Sequence, residues 1–198
     1  MKHLPPGDLG ECADALLIRD AAAVTVRFAG PADAGAVQAY FRNLSQRSRY
    51  NRLMGAASEL PAGQLDAFTH VRGDGRFSLL ATIRSDGIER IVGEARYALD
   101  GEAMRLEIGL SVADAWQGRG LGSALLSTLQ CRADALGAET LFGDTLRSND
   151  AMLKLARKAG FSIAPTPGDW KQTRFEKKIR PGAPGAAQRV SLVETAAG

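Results

Sequence analysis

Alternating apolar and polar residues predict a series of short strands along the chain. Residues 24–28 alternate and include two valines and a threonine, which favours a first strand. Residues 78–84 and 88–98 also alternate, and the Asp86-Gly87 dipeptide between them is typical of a hairpin turn. Residues 106–112 continue the alternation, so three consecutive strands should form an antiparallel meander.

Apolar residues at helical spacing predict helices on both sides of this meander. Pro31 suits the first turn of a helix, and its apolar stripe is formed by Val37, Tyr40, Phe41 and Leu44. A second helix is expected over residues 61–71, after a basic and polar segment at 45–54. Beyond the meander, a helix from Gly120 to near Gly137 carries leucines four residues apart.

The remaining strands are predicted after that helix. Residues 140–145 form a strand that should lie parallel to residues 106–112, because a single helix connects the two. A further helix runs from about residue 148 to Lys158. Residues 161–163 and 173–179 complete the pattern as an antiparallel pair.

This order of elements predicts one α/β (α+β) domain with a mixed, mostly antiparallel central sheet flanked by helices. Its parallel step is the strand–helix–strand crossover that begins at residue 106. We assign residues 24–180 to this domain. Residues 1–23 lack periodicity and are expected to form a loosely ordered arm. Residues 181–198 have no core-forming pattern and predict a flexible tail.

Composition excludes several classes of protein. The chain has 198 residues with 45% hydrophobic content, which suits one globular domain, and no apolar run approaches the ~20 residues of a membrane span. The net charge of +3 does not suggest nucleic-acid binding by bulk charge. Two histidines and two widely separated cysteines leave little material for a metal site or a structural disulfide. Because its start lacks a signal-peptide pattern, the protein is expected to be cytoplasmic.

The candidate chemistry lies where the strand at 106–112 ends. Residues 117–122 (QGRGLG) separate this strand from a helix, and a glycine-rich turn at a helix N-terminus can hold a pyrophosphate. A P-loop is excluded because no Lys follows the glycines. A dinucleotide fingerprint comes closer, with Ser123 in its last position and Asp144 on the ribose, but it belongs among alternating strands and helices. A plain tight turn is the remaining alternative.

A third phosphate-binding motif matches the turn position by position. The sequence resembles the V-x-x-x-x-Q-x-x-G-x-G acyl-CoA motif of the GNAT superfamily of N-acyltransferases, and the matching positions are Val112, Gln117, Gly120 and Gly122. Residues 149–161 resemble the N-x-x-A-x-x-x-Y-x-K-x-G-F helix of the same superfamily. Ala156 stands where many members have the tyrosine that protonates the leaving thiolate, so we assign no general acid.

A finer resemblance lies upstream of the meander. Residues 41–52 are similar to the F-x-x-L-S-x-x-S-R-Y-x-R segment of bacterial protein lysine acetyltransferases of the Pat type, and the likeness covers about residues 24–178. The resemblance implies a GNAT-type fold and acetyl-CoA as co-substrate, with no metal. It also implies that the amine acceptor is a protein lysine.

The resemblance implies roles for individual residues. Glu107 matches the glutamate that acts as general base in Pat-type enzymes, and it would be partly desolvated if its face lines a cleft. The alternatives for Glu107 are a solvated strand face or a structural ion pair. Glu94 is the reserve candidate, although a surface residue or a neighbour of Arg96 is the simpler interpretation. The residues expected to bind acetyl-CoA are Leu110, Ser111, Val112, Gln117, Gly118, Arg119, Gly120, Leu121, Gly122, Ser123 and Asn149.

Several of these assignments keep two interpretations. Residues 110–112 can bind a ligand through their backbone only if the strand separates from residues 140–145, because ladder N–H groups are otherwise occupied. Asn149 can contact the cofactor or cap the helix that follows it. Arg119 and Ser123 can touch phosphate oxygens or remain solvated. A basic cluster can be a solvated helix end or a surface that attracts acidic protein around a target lysine; its members are Arg42, Arg47, Arg49 and Arg52.

Three functions fit these observations. The first is an acetyl-CoA-dependent N-acetyltransferase that acts on protein lysines by direct attack within a ternary complex, since no Cys or His is placed to form an acyl-enzyme. The second keeps this chemistry but uses a small amine as acceptor. The third is an acyl-CoA-sensing module without turnover, which the absent tyrosine at Ala156 allows. The oligomeric state is left open.

Overall fold

The computed structural model describes residues 14–18, 23–69, 76–100 and 104–179, and within these ranges the chain forms an eight-stranded sheet. The strands are β1 (Asp14–Leu17), β2 (Ala23–Phe28), β3 (Arg76–Ser85), β4 (Ile88–Asp100), β5 (Arg105–Val112), β6 (Thr140–Leu146), β7 (Ser162–Thr166) and β8 (Asp169–Lys178). They lie in the order β1-β2-β3-β4-β5-β6-β8-β7, and the β5–β6 pair is parallel while the other neighbours are antiparallel. The predicted fold class is confirmed.

The helices in the described residues are α1 (Ala34–Asn43), α2 (Gln46–Leu53), α3 (Ala62–Thr69), α4 (Leu121–Ala135) and α5 (Asp150–Lys158). A 3-10 turn that begins at Pro31 leads into α1, whose predicted apolar stripe is buried. The crossover from β5 to β6 runs through α4, as the sequence predicted. Gly137 and Gly160 follow α4 and α5 with φ of +72° and +82°, the left-handed conformation that ends many helices.

Two apolar clusters cover opposite faces of the sheet. Leu79 and Ala81 belong to a cluster with the buried side of α4, whereas Leu80 belongs to a cluster with α1 and α3. Successive side chains of a strand point to opposite faces, so the two clusters lie on opposite sides. In β5, Leu106 and Ile108 join the α4 cluster. Residues 107, 109 and 111 therefore face the side of α1.

The structure differs from the sequence analysis at the N-terminal side of the sheet. No strand was predicted before residue 24, yet β1 pairs with β2 and places Leu16 opposite Val24. The sequence of β1 does not alternate, so its pairing with β2 defines it. The polar segment at 45–54 forms α2, where the Ser45 hydroxyl accepts the Ser48 N–H at 3.2 Å.

Several predictions fall partly or wholly outside the described residues. These are the arm before residue 14, the end of the second helix at 70–71 and the tail after residue 180. The division of the chain at residues 23 and 180 therefore stays a prediction.

Candidate active site

The parallel pairing of β5 with β6 is short. The ladder covers residues 105–107 of β5 and 140–142 of β6. The rest of β5, from Ile108 to Val112, therefore runs without β6 as a ladder partner. This is the separation that backbone binding at residues 110–112 requires.

The backbone groups of the separated segment face the gap between the strands. The Ala113 N–H donates to the Val92 carbonyl of β4 at 2.9 Å, and the alternation of an antiparallel ladder then turns the backbone groups of Leu110 and Val112 away from β4. In agreement, the Val112 carbonyl accepts Gln117 Nε2 at 3.0 Å. The N–H groups of Leu110 and Val112 are thus directed at the gap.

Gly143 lies close to the point where the two strands part. A Cβ at this position would overlap the Phe175 ring and lie 2.6 Å from the Ile108 carbonyl oxygen. Such contacts are far inside van der Waals distance. Gly143 is therefore what allows β5 to pass so close to β6 while Phe175 packs beside it.

The turn between β5 and α4 leaves backbone donors open. Gly118 and Gly120 have φ of +75° and +95°, which glycine adopts without strain. Gly120 is the N-cap of α4 and provides no side-chain cap, whereas Ser45 caps α2 and Asn149 caps α5. The first N–H groups of α4 lack intrahelical acceptors, and the helix dipole favours an anion beside them.

A cleft of about 1050 Å³ connects this turn with the gap and with α2. The predicted cofactor residues that line it are Leu110, Ser111, Val112, Gln117, Gly118, Gly120, Gly122, Ser123 and Asn149. Arg119 and Leu121 lie elsewhere. The Arg119 guanidinium stacks 5.0 Å from the centre of the Trp116 ring, and the Leu121 side chain is 0% exposed in the core.

Glu107 lines the cleft on the face that also carries Gly109 and Ser111. The residue is exposed, so the partial desolvation expected from the sequence is not observed. Within the described residues its carboxylate has no hydrogen bond or direct ion pair, which argues against the structural ion pair as its role. Its charge nevertheless acts on Arg52, Arg96 and Arg174. The carboxylate therefore lies in the cleft with no described residue bound to it.

Glu94 is buried, and the prediction of a surface position was wrong. Its side chain is 1% exposed and accepts Arg52 Nε at 2.5 Å and Arg52 Nη2 at 3.1 Å. Ser111 Oγ donates to the same carboxylate at 2.5 Å. Because Ser111 uses its proton there, the Tyr40 hydroxyl donates to Ser111 Oγ at 3.0 Å. Glu94 is therefore an anchor for Arg52 rather than a reserve base.

The pKa values of this network keep its donors protonated. Burial raises the pKa of the Tyr40 hydroxyl, and the Glu94 charge adds to the effect. Burial disfavours the charged form of Arg52, but the charge and hydrogen bonds of Glu94 still raise its pKa. The network is thus the Arg52–Glu94 ion pair, to which the Ser111 hydroxyl donates, while the Tyr40 hydroxyl donates to Ser111.

The basic cluster is mostly tied into the protein. Arg42 pairs with Glu59 at 2.5 Å, and Arg49 donates to the carbonyls of Arg42, at 2.8 Å, and of Leu44. With Arg52 bound to Glu94, the interpretation as a solvated helix end is wrong for Arg49 and Arg52. Arg47 is exposed and lines the cleft.

Asp114 joins α2 to the turn, and the sequence analysis missed it. Its carboxylate accepts the Ser45 N–H at 2.8 Å and the hydroxyls of Ser45 and Ser48 at 2.7 Å each. Burial raises the pKa of Asp114, but these three donors outweigh it and hold the pKa below its usual value. Ser45 and Ser48, three residues apart, can share one acceptor, but the sequence does not identify it, because Asp114 lies 69 residues away from Ser45.

Asn149 caps α5, which was one of its two predicted roles. Its Oδ1 accepts the Met152 N–H at 3.3 Å and its Nδ2 donates to Thr145 Oγ1 at 3.0 Å, while the residue also lines the cleft. Ala156 is fully buried and outside the cleft lining, so position 156 supplies no proton donor.

The described residues offer neither a metal-binding cluster nor a membrane-spanning helix. They contain no group of three or more His, Cys, Asp or Glu side chains that could hold a metal ion. None of the helices in these ranges is long and apolar enough to cross a membrane.

The sequence profile of the acetyltransferase (GNAT) family matches residues 40–161, a stretch that contains the separated strands, the glycine turn and α5. The chain belongs to this family, and it is an acyl-CoA-dependent N-acetyltransferase. It is similar to the acetyltransferase PA5475 of Pseudomonas aeruginosa, with 29% identity over 133 residues that cover 67% of this chain and 72% of that protein.

Solved structures agree with this assignment. The GNAT domain of S. lividans PAT has a TM-score of 0.74 and 25% identity, covering 84% of this chain and 96% of that domain. A phosphinothricin acetyltransferase from Sinorhizobium meliloti, solved in complex with AcCoA, shares the fold with a TM-score of 0.62 and 21% identity, covering 81% of this chain and 90% of that protein. The family profile and the likeness to the acetyltransferase PA5475 favour turnover over a sensing role.

Proposed function

We propose that the protein transfers the acetyl group of acetyl-CoA to the ε-amine of a protein lysine, with Glu107 as general base. The observation that carries this proposal is the exposed, unpaired Glu107 carboxylate in a cleft that joins α2 to the gap between β5 and β6. An exposed site can receive a side chain that projects from a protein surface. The resemblance of residues 41–52 to Pat-type enzymes and the likeness to the S. lividans PAT domain support the same acceptor.

The cleft fits acetyl-CoA as co-substrate. The uncapped N-terminus of α4, with Gly118 and Gly120, suits the pyrophosphate. The N–H groups of Leu110 and Val112 suit the pantetheine arm and the thioester carbonyl, where donors aimed at the developing oxyanion lower the barrier. These groups are parts of the backbone, so the fold itself sets their positions.

The chemistry that remains for side chains is proton removal. The amine nitrogen attacks the thioester carbon and forms the C–N bond, and the tetrahedral adduct then breaks its C–S bond. A lysine amine has a pKa of about 10.4 and must lose its ammonium proton before it can attack. Glu107 accepts that proton directly or through water and returns it to solvent. The second proton lost from nitrogen ends on the thiol of CoA.

A thiol-release assay with acetyl-CoA tests the proposal on a panel of candidate proteins and a panel of small amines. The Glu107→Gln variant should lower kcat by about 10²–10⁴-fold, because a positioned base contributes that much, with the affinity for CoA unchanged. Glu89→Gln, at an exposed carboxylate outside the cleft lining, is the matched control. Unchanged turnover in Glu107→Gln would remove Glu107 as the base.

The two acceptor panels distinguish a protein lysine from a small amine as the acceptor. Acetylation of a defined protein lysine, mapped by mass spectrometry, is the expected result. Turnover restricted to small amines would replace the lysine proposal with the small-molecule one. A cytoplasmic location stays a prediction from the sequence.

A further inference from the structure

The cleft around Glu107 is rich in cations. The cationic side chains that line it are Arg47, Arg52, Arg76, Arg96 and Lys158. Among the described residues, the carboxylates that line it are Glu107, Asp114 and Asp144. Asp114 is bound by Ser45 and Ser48, and Asp144 accepts Arg174 at 2.7 and 3.0 Å. Such a lining disfavours polycationic acceptors and favours an anion.

Two of these arginines lie on the face of the sheet that carries Gly109. Arg96 of β4 lies directly opposite Gly109 in the β4–β5 register, so both positions share the face of Glu107. Arg52 reaches the same point from α2, because a Cβ on Gly109 would lie 3.3 Å from its Nη1. Glycine at position 109 therefore leaves the space that the Arg52 guanidinium occupies.

Both guanidinium groups keep donors that no described residue uses. Arg52 binds Glu94 through Nε and Nη2, and in the described ranges its Nη1 has no acceptor. Arg96 has no hydrogen bond or ion pair with the residues described, and its guanidinium lies 5.3 Å from the centre of the Phe68 ring. Burial lowers the pKa of Arg96, and the neighbouring charge of Arg52 adds to this effect. A partly buried cation beside a second cation gains most from a bound counter-ion.

We propose that Arg52 and Arg96 bind a carboxylate of the acceptor, so that the enzyme selects amines that carry an acidic group near the nucleophile. The inference rests on the proposed function, in which the acceptor is a protein lysine. Gly109 is two residues from Glu107 on one face of β5, a separation of about 7 Å. In an extended peptide, side chains two residues apart have the same separation. The preferred acid therefore lies two positions from the lysine.

Matched peptides test this subsite. Each peptide has one lysine, with Glu at positions −2 and +2 in the first and Gln at both positions in the second. The wild-type enzyme should show a kcat/KM about 10-fold higher for the acidic peptide, the size expected for hydrogen bonds to a charged group. Arg96→Gln should remove this preference through KM, while the KM for acetyl-CoA stays the same.

Two further variants control the comparison. Arg96→Lys keeps the charge without the forked donors and should retain part of the preference. Arg90→Gln replaces an exposed arginine of the same strand, outside the cleft lining, and should retain all of it. The wild-type comparison of the two peptides remains decisive even if an Arg96 variant folds poorly.

The outcomes separate this inference from the proposed function. Equal kcat/KM for the acidic and neutral peptides would overturn the carboxylate subsite and leave lysine acetylation intact. A rise in the KM for acetyl-CoA in Arg96→Gln, with the peptide preference kept, would also overturn it. Nα-acetyl-lysine carries a carboxylate that its amide lacks. If the enzyme prefers Nα-acetyl-lysine to the amide and acetylates neither peptide, the carboxylate subsite is supported for a small acceptor and the protein acceptor is refuted.

Discussion

The buried Glu94–Arg52 pair allows a quantitative prediction about stability. The Glu94 side chain is 1% exposed and that of Arg52 is 17% exposed, so neither charge has full access to water. Glu94→Gln keeps the shape of the side chain but leaves the Arg52 charge without its counter-ion. Removing one partner of a buried pair costs about 3–5 kcal/mol, because the remaining charge is still desolvated.

This cost translates into a measurable shift of the melting temperature. For a protein of this size each kcal/mol lowers Tm by about 2–4 °C, so Glu94→Gln should melt about 6–20 °C below the wild type. The matched control is Glu89→Gln, which breaks the pair of Glu89 with Arg27; the Glu89 side chain is 42% exposed. Exposed pairs contribute about 0–1 kcal/mol, so the control should lose less than about 4 °C.

Scanning calorimetry of the two variants gives the test, and a double variant sharpens it. Arg52→Met with Glu94→Leu removes both charges, and most of the lost stability should return because no unpaired charge remains. If Glu94→Gln melts in the range of the Glu89→Gln control, the Arg52 charge does not depend on Glu94. The account of the network as an anchor for α2 would then be wrong.

Two further predictions concern the gap between β5 and β6 and the stability of the protein in acid. Gly143→Ala should lower the free energy of unfolding by about 1–3 kcal/mol, because the new Cβ overpacks against Phe175 and the Ile108 carbonyl. The same variant should bind CoA more weakly in calorimetric titration. Gly35→Ala is the control, because nothing lies within 4 Å of its new Cβ, and it should show neither effect. The hydrogen bonds of Arg27 hold the pKa of Asp33 below the ordinary value of an aspartate. The pair therefore stabilises the fold fully above that ordinary value, and this contribution is lost as the pH falls through the folded pKa. The melting temperature should be measured between about pH 5 and pH 2, which spans that loss. It should fall less steeply with pH in Asp33→Asn than in the wild type. Equal slopes for the two proteins would contradict the link between the Asp33 pKa and stability.

The strands β2 to β6 could be predicted because their signals are local, whereas β7 and β8 were predicted only in part, at 161–163 and 173–179 instead of Ser162–Thr166 and Asp169–Lys178. Alternation of side chains and the Asp86-Gly87 turn depend on neighbours in the sequence. The parallel crossover followed from one helix between two strands. β1 could not be predicted, since its residues form a strand only by pairing with β2. α2 was also missed, because a polar helix of eight residues has no apolar stripe to identify it.

In the candidate site too, features with a local sequence signal could be predicted, and features that depend on tertiary contacts could not. Gly118 and Gly120 could be read from the sequence because their left-handed backbone requires glycine. Glu94 could not, since its burial depends on Arg52, 42 residues away, and on Ser111 in the next strand. The separation of β5 from β6 and the position of Arg52 above Gly109 are likewise products of tertiary packing.

The geometry of β5 explains how one strand can serve both substrates. Its even-numbered side chains Leu106 and Ile108 are buried in the α4 cluster, while Glu107 and Gly109 lie on the face that carries Arg52 and Arg96. The backbone of Leu110 and Val112 points along a third direction, into the gap beside β6. In the proposed reaction, the thioester at that edge and the amine above Glu107 therefore meet at the same strand. Because Gly143 sets how closely β5 passes β6, a side chain there should disturb the thioester more than the acceptor.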